Sequence, residues 1–423
     1  MPAVLVSVAL AVLAPLLWLS VAYPLEDGMM VIDRAASLLV HHGTSYLAGD
    51  QVTSWLSYNP YLPLMTLFGL PSAAGLGGLA GNSGVWIAVG TVIPLAAAFL
   101  ATVPARGDDP PCPPREGTHR GCPACRRDAW LATAVAVASP VLALNLAVIT
   151  TDPPVLALIL LALALATRTS ITHPASTVRI MPTVRISGIT GSGIALGAAC
   201  DLKSTAWLAV PVLAAMFAAR DGARAAARFV AAAVVTAVIL IAALSPAALT
   251  SRRGADALVQ NSVLFPLGVT KYKTPADSLL LGHVLSAMGT AGHALSIVLL
   301  LAAGLGIAIS LVIRPPRDVR AATWRLAIGL ALMFLLGPQV RFGYFIYPLG
   351  LVGWLALIKA TPPAPPADVP DTLWSQPVSG GVFGSALPGQ RGTPPPVVAR
   401  IRIRPEFERV QLAALPVRAP QGL

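Results

Sequence analysis

Long apolar runs, broken by short basic or proline-containing stretches, set the pattern of this chain. A helix needs about 20 residues to cross the hydrocarbon core of a bilayer. The runs predict helices near 3–22, 84–103, 129–147, 153–167, 187–201, 204–219, 227–247, 287–313, 325–337 and 343–359. Within 23–83 the pattern changes. Ala35, Ala36, Leu38 and Leu39 give a short amphipathic helix stopped by Gly43. Residues 61–80 are apolar but interrupted by Pro63, Pro71 and many glycines, which predicts a helix lying at the outer interface. The stretch 187–219 carries Asp201 and Lys203 in its middle and reads as a hairpin of two short helices. Its apex brings Lys203 near the outer face, because a lysine stranded in lipid is costly.

The fold class that follows is all-α: a polytopic membrane protein of about ten transmembrane helices. Residues 1–360 form the transmembrane domain, with a helical first extracytoplasmic loop over 23–83 and a large outer loop over 248–286. The composition then turns to Pro, Gly and Arg, and 361–423 reads as a disordered cytoplasmic tail.

Composition sharpens this picture. Of 423 residues, 56% are hydrophobic and 11% charged, against roughly a quarter charged in a soluble domain. The net charge of +11 would point to nucleic acid in a soluble protein. Here it sits in short loops: Arg106, Arg115, Arg120, Arg126 and Arg127; Arg168, Arg179 and Arg185; Arg220, Arg224 and Arg228; Arg314, Arg317, Arg320 and Arg325. That is topogenic charge, and no nucleic-acid partner is implied. It places these loops and both termini in the cytoplasm, with 23–83, 148–152, 248–286 and 338–342 outside. The first run lacks a basic leader and reads as a retained helix. Cys112, Cys122 and Cys125 share one loop with His119, and Cys122-Pro-Ala-Cys125 has the spacing of half a zinc site. A variable insertion accounts for the same Pro- and Arg-rich loop equally well.

The candidate chemistry lies on the outer side. Glu26, Asp27 and Asp33 cluster after the first helix. A carboxylate held there beside a partly apolar cavity can act as general base toward a hydroxyl; a solvated helix end explains the cluster too. Tyr58-Asn59-Pro60-Tyr61 makes an aromatic-proline turn, with rings suited to the headgroup level. Asp152 precedes a helix and could serve as its N-cap. Lys203, Lys271, Lys273 and Arg341 are positive charges facing outward, against the topogenic rule, and suggest binding of an anion, most plausibly phosphate. Tyr344 follows Arg341 in the run Arg341-Phe342-Gly343-Tyr344.

The order of these features resembles the GT-C glycosyltransferases: an acidic residue after helix one, a helix ending in Gly43-Thr44-Ser45-Tyr46, the Tyr58-Asn59-Pro60 turn, Asp152, Lys203 in a hairpin, and Arg341-Phe342-Gly343-Tyr344. Within that superfamily the chain, over about 1–360, is most similar to family 87, the actinobacterial polyprenol-phosphate-mannose-dependent mannosyltransferases. The resemblance implies a helical fold around an outward cavity. It also implies a polyprenyl-phosphate sugar donor and inverting transfer to a lipid or glycan acceptor. The family's base matches Asp27 best. This chain reads Asp27-Gly28-Met29-Met30-Val31-Ile32 where the family has Asp-x-x-Val-Tyr, so Asp33 and Glu26 stay as alternatives. Arg341 and Lys203 would hold the phosphate, with Tyr58, Asp152, Lys271, Lys273 and Tyr344 as further binding candidates. No organic cofactor is implied. A divalent metal is compatible with the family, although no His/Asp cluster has metal-ligand spacing. Transport or flipping of a lipid-linked sugar is the competing expectation.

Overall fold

The computed structural model describes residues 27–102, 123–147, 150–168, 177–181, 184–273 and 278–359. The chain divides into two compact units, Met1–Ala367 and Asp368–Leu423. Everything described belongs to the first. The expected first helix over 3–22, Glu26, the tail over 361–423, Cys112, His119 and Cys122 lie outside the described residues, as does the side chain of Cys125.

The regular structure among the described residues is helical, apart from one hairpin in which β1 (Thr177–Met181) pairs antiparallel with β2 (Val184–Ser187). The helices run α1 (Asp27–His42), α2 (Ser83–Thr102), α3 (Pro123–Val137), α4 (Pro140–Ala147) and α5 (Pro153–Thr167) before the hairpin. After it come α6 (Gly188–Leu202), α7 (Ala209–Asp221), α8 (Ala223–Leu244), α9 (Arg252–Val259), α10 (Leu281–Ala287), α11 (Thr290–Ile313), α12 (Val319–Leu336) and α13 (Ile346–Lys359). Four of them, α2, α8, α11 and α12, are long and apolar enough to cross a membrane. Their large side chains are not hidden. On α11, Val298, Leu301, Leu305, Ile309 and Val312 are exposed three and four residues apart, in one continuous apolar stripe. A helix apolar all round and left uncovered fits a lipid solvent rather than water.

Tight packing holds the bundle together where small residues allow it. Gly193 and Gly197 of α6 sit against the backbone carbonyls of Phe229 and Ala233 on α8, with no room for a Cβ at either position. Basic residues close helix ends: Arg168 donates to the carbonyls of Leu100 and Ala101 at 2.9 and 2.8 Å, and Arg220 to that of Ala166 at 3.1 Å. These are the last carbonyls of α2 and α5, where a helix carries partial negative charge.

Several predicted elements differ. The helix expected over 129–147 breaks into α3 and α4, because Pro140 cannot donate into a continuous ladder. The one expected over 287–313 begins at Thr290, after Gly289 at φ 97° turns the chain away from α10. Residues 61–80 form no continuous helix. A 3₁₀ stretch over Pro63–Gly69 is followed by single turns at Leu70–Ala73 and Gly78–Gly81. Within 248–286, α9, a π-helical turn at Gln260–Leu264 and α10 are helical.

Candidate functional site

The turn after Tyr61 and the α6–α7 apex are stitched together by backbone. Leu62 N–H donates to the Leu202 carbonyl at 3.1 Å, and Leu64 N–H donates to Asp201 Oδ2 at 3.1 Å. This pairing brings Tyr61 beside Lys203, although the two are far apart in sequence. Asn59 N–H donates to Asn261 Oδ1 at 2.7 Å, tying the same turn to the π-helical segment. Tyr46 O–H donates to the Tyr61 carbonyl at 2.9 Å.

These links frame a cavity of about 320 Å³. Asp27 and Val31 of α1 line it, with Trp55, Tyr58 and Tyr61 from the following loop. Lys203 to Thr205 enter from the apex, Ser262, Val263 and Phe265 to Leu267 from the segment after α9, and Gly337 to Arg341 with Tyr344 from the α12–α13 connection. Five sequence candidates therefore meet at one place: Asp27, Tyr58, Lys203, Arg341 and Tyr344. Trp55, Phe265 and Gln339 also line the cavity and escaped sequence reasoning. The only local signal for Trp55 and Phe265 was an aromatic residue in an outer loop.

Lys203 is held, not loose. Its ammonium contacts Asp152 Oδ1 at 2.5 Å, and both residues are buried. Tyr347 O–H donates to the same oxygen at 2.8 Å. The Tyr344 ring lies under the ammonium at 4.2 Å from its centroid, and the Tyr61 ring at 5.8 Å. Aromatic faces and a carboxylate thus stabilise the charge without removing it from the cavity wall. Burial pushes the Tyr61 phenol up to about 12, with Lys203 pulling against the rise. Tyr61 is therefore a neutral hydroxyl at physiological pH, not a base.

The structure departs from several expectations. Asp152 stands at the N-cap position of α5, but its side chain makes no capping hydrogen bond. It is turned instead to Lys203 and does not line the cavity. Tyr58, expected to present its ring at the headgroup level, is instead buried and stacked on Phe265, with centroids 4.4 Å apart. Asp33 points away from the cavity and accepts a hydrogen bond from Ser83 Oγ at the start of α2. Burial holds its carboxyl above the usual range, with the Ser83 bond opposing the shift. Lys271 and Lys273 are exposed and outside the cavity; Lys271 lies over the ring of Tyr272 at 5.0 Å. The sequence argument put them together with Arg341 because outward charge alone does not say where a side chain points.

Among the described residues no group of three or more His, Cys, Asp or Glu side chains is placed to hold a metal ion. The class that fold and site define is a helical protein with four membrane-length apolar helices and a cavity walled by one carboxylate, two basic groups and aromatic rings. Compared with models of protein families, with curated proteins and with solved structures, the chain finds no match.

Proposed function

We propose that the protein is a membrane glycosyltransferase that moves a sugar, most plausibly mannose, from a polyprenyl-phosphate donor to a hydroxyl of a lipid or glycan acceptor. The observation that carries this reading is the convergence of Asp27, Lys203 and Arg341 on one cavity from three distant parts of the chain. In this scheme Asp27 takes the proton of the acceptor hydroxyl as its oxygen attacks the anomeric carbon. The bond from that carbon to the phosphate oxygen breaks, and polyprenyl phosphate leaves with the electron pair. Arg341, backed by Lys203, stabilises the charge of the leaving phosphate. Attack opposite the leaving group inverts the anomeric centre. The buried Tyr58 and the partly buried Tyr344 supply flat walls for the sugar and for the cation.

The reading extends the four membrane-length helices to about ten spans, the shorter apolar helices counted as crossing too. It sets the cavity on the extracytoplasmic side of a cell membrane and both termini in the cytoplasm, as the arginine distribution implies. No cofactor is needed for the step.

The test is incubation of purified, reconstituted protein with radiolabelled polyprenyl-phosphate-mannose and membrane lipids. Appearance of label in an acceptor, with release of polyprenyl phosphate, is the expected result. Movement of intact donor between leaflets without transfer would replace this reading with a flippase.

A further inference from the structure

The connection between α12 and α13 carries Arg341 to the cavity wall, and residues outside the transfer scheme pin its backbone. Gly337 and Arg341 are both extended, at φ −65°, ψ 135° and φ −97°, ψ 155°. Three alternate carbonyls here are each taken by a side chain from the α10–α11 region. Ser296 Oγ of α11 donates to the Leu336 carbonyl at 2.6 Å. His283 Nδ1 of α10 meets the Pro338 carbonyl at 3.2 Å. Ser278 Oγ, just before α10, donates to the Val340 carbonyl at 2.7 Å. A carbonyl only accepts, so His283 Nδ1 carries the hydrogen. The donors stand 40, 55 and 62 residues from their acceptors along the chain, so no local geometry imposes the pattern. Ser278 and Ser296 are buried and His283 is half-buried.

Two glycines seat the connection closely. A Cβ at Gly282 of α10 would lie 2.1 Å from the Leu336 carbonyl oxygen and 2.5 Å from that of Gly337. Gly268, in the segment after α9 and at φ 69°, would put a Cβ 2.5 Å from Gln339 Nε2. Beyond Arg341 the chain closes into the 3₁₀ turn Phe342–Phe345, with Tyr344 N–H donating to the Arg341 carbonyl at 3.2 Å. That turn sets the Tyr344 ring 4.2 Å from the Lys203 ammonium. Pinning the backbone before Arg341 therefore fixes the guanidinium and the ring together.

We infer that Ser278, His283 and Ser296 are positioning residues, a clamp that holds Arg341 where it meets the phosphate of the ligand. None of the three lines the cavity, so they act through Arg341 rather than on a ligand. A connection without its pins spreads Arg341 over many positions, and a ligand that needs one of them binds more weakly in proportion to its population. The identity of the anion rests on the transfer reading; the clamp rests on the hydrogen bonds.

The test measures equilibrium binding of farnesyl phosphate, a prenyl phosphate without sugar, to the full chain reconstituted in vesicles. His283→Leu should weaken binding roughly three- to tenfold, the worth of one neutral hydrogen bond. His283→Asn puts an amide N–H where the imidazole Nδ1–H stands and should keep wild-type affinity. His283→Gln, whose amide reaches one bond further, should not. With Arg341→Ala already in place, His283→Leu should cost nothing more, because it acts through Arg341. Ser278→Ala, a milder loss from the same clamp, serves if His283→Leu does not fold. Unchanged affinity in His283→Leu, additive losses with Arg341→Ala, or a His283→Asn no better than His283→Leu would overturn the clamp. A wild-type chain that binds no farnesyl phosphate would sink the transfer reading instead. The clamp is then judged by hydrogen exchange over 337–345, which should quicken in His283→Leu and stay slow in His283→Asn. Exchange equal in wild type and both variants would overturn it.

Discussion

Asp27 and Asp152 stand at comparable places, one opening α1 and the other directly before α5, yet their surroundings separate them. Asp152 is buried, takes the Lys203 ammonium and the Tyr347 hydroxyl on one oxygen, and is screened from the cavity. Asp27 is half-buried, lines the cavity, and makes no ion pair or hydrogen bond with another described residue. The lesson is that a neighbour, not a residue type or a position along the chain, decides between scaffold and reagent. One carboxylate is consumed in holding a lysine in place. The other faces the cavity.

The sharpest way to break this comparison is to remove the scaffold carboxylate. Asp152→Ala strands a buried ammonium, and losing one partner of such a pair costs about 3–5 kcal/mol. Thermal unfolding in detergent should show that loss, and Asp152→Leu with Lys203→Met should recover much of it. A single variant as stable as wild type would mean that the pair is not holding Lys203.

Next in size is Arg341. Arg341→Ala should weaken donor binding by roughly tenfold to a hundredfold, the worth of one charge-assisted hydrogen bond. Equilibrium binding of polyprenyl-phosphate-mannose measures it. Lys271→Ala and Lys273→Ala, which alter exposed side chains outside the cavity, should leave that affinity unchanged.

The smallest expected effect is at Asp33. Its carboxyl titrates above the ordinary 3.8 because it is partly buried. The folded form thus holds the proton more tightly than the unfolded form, so ionisation costs stability. That cost is absent below 3.8 and complete above the raised value, and stability falls as pH rises between them. Asp33→Asn should therefore match wild type in acid and be slightly more stable at neutral pH. Unfolding midpoints across that range check the sign.

Much of the helical skeleton was legible because bilayer-length apolar runs announce themselves. The run read as 84–103 is α2, at 83–102, and the one read as 153–167 is α5. Boundaries failed where backbone chemistry overrode hydropathy, at Pro140 and Gly289. The cavity was legible in part. Asp27, Lys203 and Arg341 stood out as charges at the ends of apolar runs, where charge is unexpected enough to carry information. Their pairings were not. Lys203 meets Asp152 across a helix–helix interface, and helices apolar all round lack the one-sided stripe that tells which faces meet. Nor does sequence say that Tyr58 is stacked on Phe265.

The proposed role of Asp27 as the base is tested by turnover of purified Asp27→Asn at saturating polyprenyl-phosphate-mannose, with donor binding measured on the same sample. The substitution keeps size and polarity and removes only the proton acceptor. Turnover should fall by about 10²-fold or more while donor affinity stays near that of wild type. Near-normal turnover in Asp27→Asn, above all if Asp33→Asn abolishes transfer, would contradict the assignment of Asp27 as the base.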